Sequence, residues 1–150
     1  MVVFNNIFTK NESYGFSLYT NGLLYLSAPD VEFKSNFVSS NKGTVYISGN
    51  NFLNLESNFI TNNSGSTEGT IYLSSNLITA RNNIFTDNDS YESTSGKGCL
   101  YINSSGTINL INNTISNNKT KGYGGGVYLN ITNTTAILNL YNNIIWGNTA

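Results

Sequence analysis

Aliphatic residues along this chain come in short alternating groups separated by polar stretches. In GTIYL, from Gly69, the aliphatic Ile71 and Leu73 flank Tyr72. The string returns as GLLYL from Gly22, GTVYI from Gly43, GCLYI from Gly98 and GGVYL from Gly125. A second string lies between these copies. It reads NIFTKN from Asn6, NFVSSN from Asn36, NFITNN from Asn58, NIFTDN from Asn83, NTISNN from Asn113 and NIIWGN from Asn143. Its first asparagines are 30, 22, 25, 30 and 30 residues apart. Just upstream of it sits an apolar pair: Val31 and Phe33, Leu53 and Leu55, Ile78 and Ala80, Ile108 and Leu110, Leu138 and Leu140.

Alternation with period two puts the aliphatic residues of each string on one face of a strand. The phase then slips. Leu53 and Leu55 point inward at odd positions, whereas Ile60 must do so at an even one. A slip of phase marks a corner. Three short strands joined by corners, repeated every 22 to 30 residues, describe one coil of a parallel β-helix, with coils stacked about 4.8 Å apart. The expected fold is all-β: a single-stranded parallel β-helix of about five and a half coils, filling residues 1–150 as one domain. A leucine-rich repeat has a similar period, but it needs helical segments and L-x-x-L-x-L spacing. A β-sandwich would not hold the same string in register six times.

The stack accounts for an unusual composition. Asparagine occurs 28 times, beside 14 glycines and a single proline. In a β-helix each position recurs on every coil, so asparagines at a corner can pair their amides up the stack. They also tolerate left-handed backbone. The tyrosines should form an outward ladder of rings. Charged residues are only 10% of the chain and the net charge is −1. That argues against a nucleic-acid partner, which would require clustered Lys and Arg. No stretch approaches the roughly 20 apolar residues of a membrane helix.

FTKN (Phe8 to Asn11) and FTDN (Phe85 to Asn88) resemble the FxxN half of the repeat in polymorphic outer membrane proteins. GGGV (Gly124 to Val127) is similar to its GGA[ILV] half, and KGTV, EGTI and KGCL are weaker versions. In four of the six copies Val or Ile replaces the Phe. The resemblance implies a right-handed β-helix of the pectate-lyase-like superfamily. It also implies display on a bacterial surface, as an autotransporter passenger or adhesin, with an extracellular or outer-membrane location. On that reading the chain is a segment of a longer solenoid without its caps, and further β-helix coils of the parent chain are its neighbours.

The candidate chemistry is sparse. There is no histidine, which removes His-based triads and most zinc sites. Eight carboxylates remain, and a glycosidase needs two of them facing one bond. Asp87 and Asp89, in FTDNDS, form a weak candidate site for Ca²⁺, which favours oxygen ligands. Arg81 is the sole arginine, the residue a pectate-lyase-like enzyme would use as a base. In repeat register, however, it stacks above Glu56 and Lys34 as a ladder of alternating charge. Cys99 falls where other copies have Thr44, Thr70 and Gly126, so it reads as a small strand residue. Trp146 alternates with inward Ile145 and should face outward.

The segments between each closing asparagine and the next glycine vary in length: 12–21, Lys42 alone, 64–68, 89–97 and 119–124. All of them leave the coil at the same corner, so they form one edge of the stack, and variable insertions on one face of a solenoid often bind partners. The expected binding edge is Tyr14, Tyr19, Tyr91, Tyr123, Lys97, Lys119 and Lys121, residue types suited to carbohydrate or protein on a host or cell surface. The expected function is a non-catalytic adhesin, passenger or stalk. The alternative is a fragment of a pectate-lyase-like polysaccharide lyase or glycoside hydrolase.

Overall fold

The computed structural model describes residues 1–13, 22–90 and 96–150. The chain winds as a parallel β-solenoid of about five turns, with no helix among the described residues. The first coil supplies β1 (Val2–Phe4) and β2 (Ile7–Thr9). β3 (Gly22–Lys34), β4 (Phe37–Ser39), β5 (Thr44–Glu56) and β6 (Phe59–Thr61) make the next two coils. β7 (Ile71–Ser74), β8 (Leu77–Arg81), β9 (Ile84–Thr86) and β10 (Asp89–Ser90) follow. β11 (Leu100–Ser104), β12 (Thr107–Ile111), β13 (Thr114–Ser116) and β14 (Lys119–Thr120) form the next turn. β15 (Val127–Ile131), β16 (Ile137–Tyr141) and β17 (Ile144–Trp146) end the stack.

Every pairing between these strands is parallel, and the register places like on like. Val31, Leu53, Ile78, Ile108 and Leu138 form one column. Val3, Phe33, Leu55, Ala80, Leu110 and Leu140 form a second. Phe8, Val38, Ile60, Phe85, Ile115 and Ile145 form a third. In the middle coils these side chains are fully buried. The columns are therefore the core itself, a tube one side chain deep on each wall.

The first corner differs from the expected break. β3 and β5 run unbroken through it for 13 residues each, whereas the later coils interrupt the strand at Ser75–Asn76, Ser105–Gly106 and Thr132–Ala136. Parity of the apolar positions does not decide this. β5 keeps phase between Ile47 and Leu53, whereas β3 runs through although inward Leu26 and Val31 differ in parity, the slip being taken up by a register shift between Ala28 and Asp30. Between Leu55 and Ile60 stands the left-handed Ser57, and there the strand stops.

That second corner, and the next, are built from adjacent residues with separate tasks. The residue before each laddered asparagine takes left-handed backbone: Asn5, Lys10, Ser35, Ser40, Ser57, Asn62, Asn82, Asp87, Asn112, Asn117 and Asn142, with φ between 52° and 60°, and Gly147 at 66°. The laddered asparagine itself turns inward. The tolerance for left-handed backbone expected of the ladder thus belongs to its neighbour, where roughly 1–2 kcal/mol of strain per residue is absorbed.

Two amide ladders climb the tube. One is Asn6, Asn36, Asn58, Asn83, Asn113 and Asn143. The other is Asn11, Asn41, Asn63, Asn88, Asn118 and Asn148. Asn83 shows the wiring. Its Oδ1 accepts from the backbone N–H and from Nδ2 of Asn58, both at 2.9 Å. Its Nδ2 donates to Leu55 O at 3.1 Å and to Asn113 Oδ1 at 3.0 Å. A fully buried amide thus has all four of its hydrogen-bonding positions filled, which removes the burial penalty that a lone polar group would carry.

Candidate ligand-binding face

The Gly-x-Φ-Tyr-Φ string, where Φ is apolar, sends its two aliphatic residues inward and so its tyrosine outward. Tyr25, Tyr46, Tyr72, Tyr101 and Tyr128 share one register column. Tyr25 and Tyr46 stack with centroids 4.8 Å apart, and Tyr46 and Tyr72 with centroids 4.6 Å apart. Higher up, Tyr72 meets Tyr101 edge to face at 83°, and Tyr101 meets Tyr128 at 69°. Both arrangements are favourable for rings of opposed face and edge charge.

The turn of Tyr101 coincides with a cation. Lys97 Nζ lies 4.7 Å from its ring centroid and 3.2 Å from a carboxylate oxygen of Glu68. Burial opposes the Lys97 charge, but the Glu68 carboxylate outweighs it and holds the ammonium above the usual lysine range. Burial also pushes the Tyr101 phenol up, with Lys97 pulling the other way. Lys97 pairs through its backbone with Tyr123, a residue 63% exposed whose ring centroid lies 6.2 Å from that of Tyr128. The edge and the tyrosine ladder thus meet in one patch of Glu68, Lys97, Tyr101, Tyr123 and Tyr128.

Of the residues expected on the binding edge, Lys97 and Tyr123 come together in this patch. Lys119 belongs to another column, Glu12–Lys42–Ser64–Asp89–Lys119–Thr149, and is exposed, as is Lys121. Tyr14, Tyr19 and Tyr91 lie outside the described residues. Glu68 and Tyr101 were missed as partners. The signal for Glu68 was its place directly before Gly69, the same place that Lys97 holds before Gly98.

Asp87 occupies a left-handed corner and accepts a hydrogen bond from the Thr86 hydroxyl at 2.9 Å. Asp89 lies on β10, opposite Lys119 in register, with Oδ1 buried and unpartnered. Among the described residues no group of three His, Cys, Asp or Glu could hold a metal ion. Cys99 is fully buried, and burial pushes its thiol well above the usual range, with Asn88 countering only in part. Trp146 faces outward, 70% exposed.

Arg81 borders a shallow groove formed with Phe52, Asn54, Leu77 and Thr79. It donates to Glu56 Oε2 at 2.9 Å, and Lys34 approaches the same oxygen at 3.8 Å. Lys34 also pairs with Glu32. The alternating ladder is therefore present, with its Glu between two cations. In a double-mutant cycle, Glu56 and Arg81 should couple by about 0.5–1 kcal/mol at low salt. The coupling should shrink as salt rises. Zero coupling at low ionic strength would show that the ladder contributes nothing.

A family model described as "Right handed beta helix region" matches residues 1–150. The comparison with curated proteins and that with solved structures found no match.

Proposed function

We propose, on the premise that this chain belongs to the family of right-handed β-helix regions, that it is a non-catalytic solenoid. On this reading it is displayed outside the cell and presents the edge around Lys97 and Tyr123 to a carbohydrate or protein on another surface. The observation that carries the reading is the union of that edge with the tyrosine ladder. Glu68, Lys97, Tyr101, Tyr123 and Tyr128 form a mixed aromatic and charged patch held on stacked strands. Aromatic side chains on a rigid frame lose little entropy on binding and dominate interface energetics. The likeness of the FTKN and FTDN strings to polymorphic outer membrane protein repeats supports surface display as adhesin, passenger or stalk.

The charges support a non-enzymatic role. Arg81, Lys34, Glu32 and Glu56 are spent on one another, and Asp30 accepts from the Asn51 amide at 3.0 Å. General acid–base work needs groups poised toward a substrate. Solid-phase binding of the purified chain to a panel of glycans and extracellular-matrix proteins tests the reading. Lys97→Ala with Tyr123→Ala should weaken the strongest interaction at least about tenfold. Unchanged binding by that folded double variant overturns the edge. Release of unsaturated uronides from polygalacturonate by the wild-type chain would put the polysaccharide-lyase reading in its place.

A further inference from the structure

The third arm turns an apolar ridge to solvent. β2, β4, β6, β9, β13 and β17 form one six-stranded parallel sheet. The middle residue of each strand enters the tube, so its two neighbours point outward. They make two columns. One is Ile7, Phe37, Phe59, Ile84, Thr114 and Ile144, and the other is Thr9, Ser39, Thr61, Thr86, Ser116 and Trp146. The five large residues of the first column are each at least 37% exposed. The Phe37 and Phe59 rings stack along it with centroids 5.6 Å apart. No residue of the six strands is charged. Parallel sheets usually have both faces covered, and a continuous exposed apolar row marks a contact surface.

The order of residues along the ridge is self-complementary. Take a two-fold axis along the strands, crossing the sheet midway between β6 and β9. It sets a second copy face to face with its solenoid axis reversed, an isologous contact. Ile7 then meets Ile144, Phe59 meets Ile84, and Phe37 meets Thr114, the one small member of the row. In the second column the one bulky member, Trp146, meets Thr9. At the rim nearer the second arm, Glu56 and Arg81 stand on the two central coils, so each comes level with its opposite in the other copy. At the far rim Lys42 and Lys119 come level, a repulsion that keeps the contact reversible. A two-fold parallel to the solenoid axis sets each coil on its like instead. The ridge then meets itself, Phe on Phe with a gap at Thr114, or it meets the hydroxyl column. Neither buries apolar surface against apolar surface along the whole row.

We propose that the third-arm face joins two copies of this chain in a reversible antiparallel pair. Six strands at about 4.8 Å give a face about 29 Å long and about 10 Å wide. That falls well short of the roughly 800 Å² per partner of a standard interface. It suits a transient contact between two copies, not an obligate dimer. The face lies on a different wall of the tube from Lys97 and Tyr123 and stands whether or not that edge binds.

Sedimentation velocity of the whole chain over a rising concentration series tests the assignment. The wild type should pass from monomer to dimer with a dissociation constant between about 10 µM and about 1 mM. Phe59→Glu and Ile84→Lys, both at the centre of the face, should each weaken the pair at least about tenfold. An equimolar mixture of these two variants should recover the dimer. The new carboxylate of one chain then faces the new ammonium of the other, while Ile84 of the first faces Phe59 of the second. Pairing of each coil with its like gives no such recovery. Circular dichroism establishes that each variant folds, and if either does not, Phe59→Lys with Ile84→Glu makes the same test. Tyr123→Ala should pair as the wild type does. The assignment falls if the wild type stays monomeric up to about 1 mM, if Phe59→Glu associates undiminished, or if the mixture does not recover. Binding of a monomeric wild type to phosphatidylcholine vesicles, lost in Phe59→Glu, would give the ridge to a membrane surface instead.

Discussion

Asn83→Ala should lower stability by about 4 kcal/mol, a fall in Tm of about 10 °C for a chain of this size. The reason is the number of partners stranded at once. The Asn58 backbone N–H, the Asn58 side-chain amide, Leu55 O and Asn113 Oδ1 each lose a bond. The site is 0% exposed, so water does not replace them. Asn83→Asp should be worse at neutral pH. Its carboxylate can still accept from Asn58 but would point a second oxygen at Leu55 O and Asn113 Oδ1. Those acceptors raise the folded-state pKa of the new carboxyl above its unfolded value. The penalty is therefore full above the folded pKa and eases as pH falls toward the unfolded one. Asn82→Ala, at the adjacent left-handed corner, should cost only about 1–2 kcal/mol. If Asn83→Ala melts within a degree or two of the wild type, the ladder does not hold the coils together.

The second large effect is expected at Phe85. Its ring fills the tube between Ile60 below and Ile115 above and is fully buried. Phe85→Ala removes that contact and leaves a cavity that the closed coil cannot collapse, at about 3–5 kcal/mol. Phe85→Leu, which keeps most of the volume, should cost under about 1.5 kcal/mol. Each coil touches only its neighbours, so the damage should be local. Hydrogen exchange should accelerate first at β6, β9 and β13 and later at strands further along the stack. A loss below about 1 kcal/mol for Phe85→Ala would mean that this column is not packed as described.

Much of this architecture was legible because the repeat carries it. Leu53, Ile78, Ile108 and Leu138 fall in one column, since like residues at like phase have nowhere else to go. The contact of Glu56 with Arg81 followed from the same register. What escaped lay where the repeat is silent. Nothing in the composition of Gly22–Lys34 or Thr44–Glu56 announced a strand running through a corner, and neither did parity, since Leu26 and Val31 differ in it while Ile47 and Leu53 share it. The pairing of Glu68 with Lys97 joins segments of unequal length, so it aligns only when counted back from Gly69 and Gly98 and not forward from the preceding asparagines. The tilt of Tyr101 coincides with Lys97, which stands in the variable segment just before its own strand, and no period encodes it.

The amide ladders have a direction as well as a pattern. In every amide-to-amide rung described, an asparagine donates to the asparagine of the C-terminal coil and accepts from that of the N-terminal coil, its other amide hydrogen going back to a backbone carbonyl. Hydrogen bonds of parallel strands alternate in sense and largely cancel, but these two files of side-chain dipoles add. The solenoid therefore carries an axial electric polarity, partly positive at the end of β17 and partly negative at the end of β1, as the peptide groups of an α-helix do along theirs. A charged group approaching along the axis will find the two ends unequal, though their residues are nearly the same.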